Sequence, residues 1–139
     1  MKIVAKTDVG MVRESNQDSY TTGELPNGVA WAVVCDGMGG AAGGNVASST
    51  AVKVIAEQIT SSFRPGMSAN SIKNMMVSAI NAANISVYDI SCSNSELYGM
   101  GTTVVCAIVM EHIAYIAHAG DSRAYIVSHG ALTQLTRDH

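Results

Sequence analysis

Blocks of apolar residues separated by polar turns run along the chain, and their spacing predicts strands near both ends and helices between them. The run GVAWAVVC is apolar almost without interruption, which is typical of a strand buried on both faces and predicts a strand over 27–36. Residues 1–7 are predicted to form another strand. The polar segment between these strands is predicted to be a linker that ends in a turn, and it contains Arg13, Asn16, Gln17, Asp18, Gly23 and Asn27.

Two long segments in the middle of the chain place apolar residues at helical spacing. In the first, Val52, Ile55 and Ile59 share one face, which predicts a helix over 45–62. The second segment predicts a helix over 71–91. Its apolar stripe consists of Ile72, Met76, Ala79, Ile80, Ala83, Val87 and Ile90.

Short apolar runs return after a polar loop at 92–100, and they predict a meander of strands over 102–110, 113–118, 122–127 and 131–135. The helices therefore stand together between two groups of strands and do not alternate with them. This order favours an α+β fold over a parallel sheet built from βαβ units.

Composition narrows the class of protein. The chain has 139 residues, of which 47% are hydrophobic and 14% charged, and its net charge is -3. The length suits one domain, and the mean hydropathy of +0.20 is the opposite of a disordered composition. Eight basic residues against eleven acidic ones exclude a strongly basic nucleic-acid binder.

The cysteines and the N-terminus bear on the compartment. Cys35, Cys92 and Cys106 form no CxxC pair, and their odd number argues against a disulfide framework. The N-terminus lacks the apolar core of a signal peptide, and no apolar run approaches the ~20 residues that span a bilayer. We therefore expect a soluble protein of the reducing cytoplasm.

The segment VVCDGMGGAAGG places a glycine-rich loop between a predicted strand and a predicted helix. Gly37, Gly39 and Ala42 satisfy the GxGxxG/A spacing of a dinucleotide-binding fingerprint. However, Asp36 would set a carboxylate beside the pyrophosphate, and Glu57 falls inside the predicted helix instead of after the next strand. Both features argue against nucleotide binding.

Metal binding is the alternative use of the same loop. Asp36 ends a buried strand, and the carbonyl of Gly37 can face the same ion, which suits Mg²⁺ or Mn²⁺. An isolated aspartate here would more often cap the turn or the helix. Asp18 and Asp121 could equally be ordinary turn aspartates that bond their own backbone. Arg13 could clamp a phosphate, but a single arginine is more often a surface cation. Taken singly, these residues leave the site open.

Five motifs in order carry a family resemblance: RESNQD, VCDGMGG, GMGTTVVCA, AYIAHAGDSRAYIV and LTQLTRDH. Together they closely resemble the metal-dependent PP2C (PPM) serine/threonine phosphatases in their compact bacterial form, over essentially the whole chain. The resemblance implies an αββα sandwich, in which two antiparallel sheets are flanked by helices. It also implies hydrolysis of phosphoserine and phosphothreonine by a water activated between two Mn²⁺ or Mg²⁺ ions.

The resemblance also implies roles for individual residues. Arg13 would bind the substrate phosphate. Asp36 would bridge two metal ions, with the Gly37 carbonyl completing one coordination sphere. Asp18 would hold metal-bound water, and Asp121 matches a third, weaker metal site of bacterial members. A structural role is expected for Gly99, Gly101 and Thr102.

Other candidate side chains are given no catalytic role. Met38 stands where many eukaryotic members of the family place a histidine. Cys35 has no obvious neighbouring base and is not expected to be a nucleophile. The histidines match no metal or triad spacing and are expected to be structural: His112, His118, His129 and His139.

The resemblance also stops short of a whole active site. The family uses two further aspartates as direct metal ligands, and after Asp121 only Asp138 remains, within LTRDH. We therefore expect residues 1–139 to be the N-terminal portion of one phosphatase domain, incomplete at its C-terminus, with weak metal affinity. The alternative is a catalytically inactive phosphoprotein-binding or regulatory domain.

Partners are expected from the same reading. Phosphorylated proteins would be the substrates, and a cognate serine/threonine kinase would oppose the enzyme. No nucleic acid or membrane is expected. Strands such as TTVVCAIVM would leave unpaired edges, so we expect a dimer or a swapped assembly.

Overall fold

The computed structural model describes residues 1–139, with the side chain of Ala41 excepted. Two strands come first, two long helices follow, and five shorter strands complete the chain. The elements are β1 (Asp18–Leu25), β2 (Val29–Met38), α1 (Gly40–Ser62), α2 (Ala69–Ser93), β3 (Gly101–Thr102), β4 (Val104–Val109), β5 (Ala114–Ala119), β6 (Tyr125–Ser128) and β7 (Ala131–Gln134).

Every strand pairing is antiparallel. The larger sheet has five strands in the order β1-β2-β4-β5, with β3 paired to the end of β2, and β6 and β7 form a separate two-stranded sheet. The segregated order of helices and strands and the antiparallel sheets confirm the predicted α+β class.

The core lies between the larger sheet and the two helices. Trp31, Val33 and Cys35 point from alternate positions of β2 toward the helices, where they pack with the fully buried Ile55 and Ile59 of α1. The other face of β2 is less covered, because Val34 is 47% exposed. The prediction that this strand is buried on both faces is therefore wrong for its second half.

Strand β1 occupies part of the segment that was predicted to be a linker and turn. Its residues are mostly polar because the strand lies at the sheet edge and only one of its eight positions, Leu25, is buried. Gly23 lies opposite Trp31, and a Cβ on Gly23 would lie 2.7 Å from Trp31 Nε1. The glycine that suggested a turn is there because the indole packs against the strand.

The predicted strand over 1–7 is wrong. Residues 1–9 lie outside the helices and strands, and none of the described strands pairs with them. Apolar content alone does not make a strand, since a strand needs a hydrogen-bonding neighbour.

Both helices are longer than predicted. Helix α1 begins at Gly40, five residues before the expected start, because Gly39 adopts φ 128° and allows the chain to turn directly from β2 into the helix. Helix α2 begins after Ser68, whose hydroxyl accepts a hydrogen bond of 3.2 Å from the Ser71 N–H. Among the described helices, none combines the length and apolar character needed to cross a membrane.

The predicted strand over 102–110 is divided at Thr103 into β3 and β4. At this residue the backbone N–H donates to the Asp36 carbonyl at 2.9 Å. The interruption brings Thr103 against the end of β2, where the candidate site lies.

Candidate metal and phosphate site

A cleft of about 900 Å³ opens where β2 ends and α1 begins. Its walls come from the segment before β1, the glycine loop after β2 and the turn after β5. The cleft brings together all five residues that were predicted to form the site: Arg13, Asp18, Asp36, Gly37 and Asp121.

Asp18 and Asp36 face each other across the β1–β2 pair, where they are register partners. Directly opposed like charges on neighbouring strands repel each other. Partial burial, followed by the nearby Asp18 and Asp121 carboxylates, raises the pKa of Asp36 above its usual value, and the Arg13 guanidinium opposes that rise. The cleft therefore holds three carboxylates and the positive charge of Arg13.

The donor set fits a hard divalent cation. The Asp18 and Asp36 carboxylates and the Gly37 backbone place oxygen atoms at the cleft, and a positive charge there would reduce the repulsion that contributes to the raised Asp36 pKa. In the part of the chain that the structure describes, no three His, Cys, Asp or Glu side chains come close enough to form a ligand cluster. Asp18 and Asp36 thus form a pair of opposed carboxylates, and Asp121 lines the same cleft.

Gly37 is held in a tight backbone contact. Its N–H donates to the Gln17 carbonyl at 3.0 Å. A Cβ at this position would lie 1.9 Å from the Gly44 carbonyl oxygen in α1. Only glycine lets the end of β2 approach the helix this closely, so this residue sets where its own carbonyl and the Asp36 side chain lie.

The sequence analysis assigned no role to Gln17, yet this residue connects the segment before β1 to the end of β2 and the start of α1. Its Nε2 donates to the Gly40 carbonyl at 2.6 Å, and its side chain packs where a Cβ on Gly44 would be. The signal in the sequence was only its place beside Asp18 in RESNQD.

Buried Ser48 also anchors the start of β1 to helix α1. Its hydroxyl donates to the Gln17 carbonyl at 2.7 Å and is 3.0 Å from the Ser19 hydroxyl. The residues on both sides of Asp18 are therefore fixed to the helix. This arrangement holds the Asp18 carboxylate opposite Asp36.

His139 also borders the cleft. The His139 N–H donates to the Gly120 carbonyl at 3.1 Å, and the Gly120 N–H donates to His139 Nδ1 at 3.2 Å. The His139 ring stacks on His118 with the centroids 4.8 Å apart. The two histidines thus support the turn that carries Asp121.

The GDSR and LTRDH motifs are joined by an ion pair. The Arg123 guanidinium donates to both carboxylate oxygens of Asp138 at 2.6 to 3.2 Å. This contact lowers the pKa of Asp138. Asp138 is therefore engaged by Arg123 outside the cleft and is not among the residues that line it.

The two buried cysteines are unsuited to nucleophilic chemistry. Cys35 and Cys106 are fully buried, and burial raises the pKa of each thiol to about 12. A thiolate is the reactive form, so neither residue is poised as a nucleophile.

Met38 lines the cleft and is 59% exposed.

A sequence profile of the family described as "Protein phosphatase 2C" matches residues 12–139. The chain therefore belongs to the protein phosphatase 2C family.

Individual relatives agree with that assignment. The chain is 35% identical over 134 residues to the "Serine/threonine phosphatase stp" of Listeria monocytogenes, covering 96% of this chain and 53% of that protein. It superposes on the solved serine/threonine phosphatase of S. agalactiae with a TM-score of 0.86 and 32% identity, covering 96% and 54% of the two chains. The PstP catalytic domain, solved "in complex with 2 Manganese ions", matches with a TM-score of 0.78, 31% identity and coverage of 96% and 54%.

The chain spans about half the length of the Listeria relative that it matches. The solved structures likewise extend over about twice the matched region. Their fold is the PP2C phosphatase fold, which confirms the expected antiparallel sheets with flanking helices.

Proposed function

We propose that the protein is a metal-dependent phosphoserine and phosphothreonine protein phosphatase. Residues 1–139 would form the N-terminal portion of its single phosphatase domain and carry part of the active site. The observation that supports this most strongly is the opposition of Asp18 and Asp36 in a cleft that also holds Arg13 and Asp121.

The resident cofactor would be Mn²⁺ or Mg²⁺, as two ions or three in the complete domain. Support comes from the manganese-bound PstP relative and from the oxygen donors of the cleft. Asp36 and the Gly37 carbonyl would bind directly, Asp18 through water, and Asp121 at a weaker position. When bound, such ions supply positive charge for the phosphoryl oxygens and activate water for in-line attack on phosphorus.

The chain's own residues would contribute position and charge. The positive charge of Arg13 lowers the pKa of Asp36, and its planar guanidinium matches two phosphoryl oxygens. The hydrogen bond from Ser48 to the Gln17 carbonyl holds the backbone beside Asp18. The hydrogen bond from the Gly37 N–H to the same carbonyl holds the backbone beside Asp36. The substrate phosphate would therefore enter between Arg13 and the carboxylate pair.

The test of this function measures metal binding and hydrolysis separately. We expect residues 1–139 to bind Mn²⁺, measured as the loss of the free-ion electron paramagnetic resonance signal. We expect the protein with the complete domain to hydrolyse p-nitrophenyl phosphate and a phosphothreonine peptide only with Mn²⁺. Asp36→Asn removes the charge that the cation neutralises, and we expect it to lower the rate by about a hundredfold or more.

Asp89→Asn is the matched control, because Asp89 is an exposed aspartate of α2 outside the cleft. We expect this variant to behave as the unchanged protein does. Equal Mn²⁺ binding by the Asp36→Asn variant would contradict the proposed site.

A second function is favoured by one observation, the lack of a three-ligand cluster among the described residues. On that reading the chain is a catalytically inactive phosphoprotein-binding or regulatory domain. It would bind the phosphothreonine peptide through Arg13 and release no phosphate. The two assays above separate the readings, because only the first predicts phosphate release.

Arg13→Lys tests the phosphate clamp. The variant keeps the positive charge and loses the fork, so we expect KM for the phosphothreonine peptide to rise about tenfold while kcat changes less. Arg64→Lys, at an exposed arginine after α1, is the control and should leave KM unchanged. An unchanged KM in the Arg13→Lys variant would place the substrate elsewhere.

The natural setting follows from the same proposal. Phosphorylated proteins would be the substrates, with a cognate serine/threonine kinase acting in opposition. A cytoplasmic location would suit the free thiols of Cys35 and Cys106.

We also propose that this chain associates with itself as a dimer or a swapped assembly. Strand β5 is the outer strand of the larger sheet, and Val127 and Leu132 of the β6–β7 hairpin are 71% and 66% exposed. Sedimentation equilibrium should give a mass above the 14.5 kDa of one chain. A single species of 14.5 kDa at high concentration would contradict association.

A further inference from the structure

Thr103 contacts both the end of β2, which carries Asp36, and the turn that carries Asp121. The inference drawn from these contacts rests on the proposed function. We propose that Thr103 is a positioning residue that fixes the Asp121 turn relative to Asp36 through a hydroxyl bridge to Ser122. The motif GTT contains this residue, but the sequence analysis assigned a structural role to Gly99, Gly101 and Thr102 and none to Thr103.

One end of the bridge is the end of β2. The Asp36 N–H donates to Thr103 Oγ1 at 3.0 Å, and the Thr103 N–H donates to the Asp36 carbonyl at 2.9 Å. Thr103 is only 8% exposed, so both bonds are shielded from water. The strand pairing is interrupted at Thr103, between β3 and β4. The two reciprocal hydrogen bonds restrain the Asp36 backbone at this interruption.

The other end of the bridge is the turn that carries Asp121. Thr103 Oγ1 lies 2.5 Å from Ser122 Oγ in a hydroxyl–hydroxyl hydrogen bond. Gly120 packs so closely on the same side chain that a Cβ there would lie 2.8 Å from Thr103 Cγ2. The hydroxyl and the methyl of one threonine thus contact the residues on either side of Asp121.

A hydroxyl can accept two hydrogen bonds and donate one, so Thr103 Oγ1 can serve Asp36 and Ser122 at the same time. Threonine alone combines this capacity with a methyl branch. His139 holds the outer side of Gly120 with its own pair of hydrogen bonds. The distance between the Asp36 and Asp121 backbones is therefore set by the Thr103 side chain.

The inference is tested first in the metal-free protein by amide NMR. Ser122→Ala removes a hydroxyl that bonds Thr103, and we expect it to shift the Asp36 amide resonance through that bridge. Thr103→Val should shift the amides of both Asp36 and Ser122. Thr103→Ser, which restores the hydroxyl, should return the Asp36 amide toward its original position.

The second measurement is Mn²⁺ affinity. Thr103→Val should weaken Mn²⁺ binding by about fivefold, the loss expected for one buried hydrogen bond, and Thr103→Ser should recover most of it. Thr60→Val is the control, since that exposed threonine bonds only the carbonyls of its own helix. It should change neither the Asp36 amide nor the affinity.

The two proposals fail in different ways. An Asp36 amide that is unmoved by Ser122→Ala, or Mn²⁺ binding that is unchanged by Thr103→Val, would overturn the bridge. If the unchanged protein binds no Mn²⁺, the proposed metal site fails, and the amide measurement alone then decides whether the bridge exists.

Discussion

Gly37→Ala is expected to destabilise the protein by about 3 kcal/mol or more, because the new methyl group collides with backbone. Its Cβ would lie 1.9 Å from the Gly44 carbonyl oxygen and 2.5 Å from the Gly44 carbonyl carbon. Neither atom belongs to a flexible side chain. Urea unfolding followed by circular dichroism should show the loss, and Mn²⁺ binding should fall with it.

Relief of this collision would require the end of β2 and the start of α1 to separate. Gly44 cannot move away freely, because it packs on the Gln17 side chain, which bonds the Gly40 carbonyl. The same displacement would break the Gly37 N–H bond to the Gln17 carbonyl. The carbonyl proposed as a metal ligand would therefore shift even in the molecules that remain folded.

Gly101→Ala provides the control from the neighbouring strand. Gly101 pairs with Met38 beside the cleft, and a Cβ there would meet only the Met38 side chain, with the terminal methyl 3.3 Å away. That flexible end can move, so we expect a change within about 0.5 kcal/mol. Similar midpoints for the Gly37→Ala and Gly101→Ala variants would show that the end of β2 yields more easily than this contact suggests.

The sequence pattern predicts those elements that carry apolar side chains at regular spacing, and these include the exposed strand β7, which was predicted over 131–135 and is found at Ala131–Gln134. Both helices and strands β2, β4 and β5 have apolar faces at the right spacing, and all five were predicted within a few residues. Strand β1 was missed because its place at the sheet edge allows polar residues, and its glycine serves Trp31 on the next strand. That contact is between strands and leaves no local pattern.

Some residues of the cleft could be predicted from the sequence and others could not. Asp18, Asp36 and Asp121 were predicted from the motifs, and all of them line the cleft. Gln17 and Thr103 were given no role in the site, because each acts through its backbone as well as its side chain. A hydrogen bond to a carbonyl places no restriction on the partner's residue type, so pattern reasoning cannot pair them.

Ile55→Ala is expected to cost about 2 to 5 kcal/mol, the range for truncating a buried isoleucine. Ile55 is fully buried in the middle of α1, where it packs in the cluster that includes Val33 and Ile59. Since a domain of this kind has only about 5 to 15 kcal/mol of stability, the variant should unfold at much lower urea concentration. Ile85→Ala is the matched control, because Ile85 is 61% exposed on α2 and its loss should be small.

Added Mn²⁺ then separates a weakened core from a damaged site. An ion that binds only the folded state stabilises it by mass action, about 2.7 kcal/mol at a hundred times the dissociation constant. Ile55 does not line the cleft, so Mn²⁺ should restore stability to the Ile55→Ala variant. It should restore little to the Gly37→Ala variant, whose site is displaced. Equal rescue of both variants would contradict a metal site at the end of β2, because the ion would then be bound elsewhere.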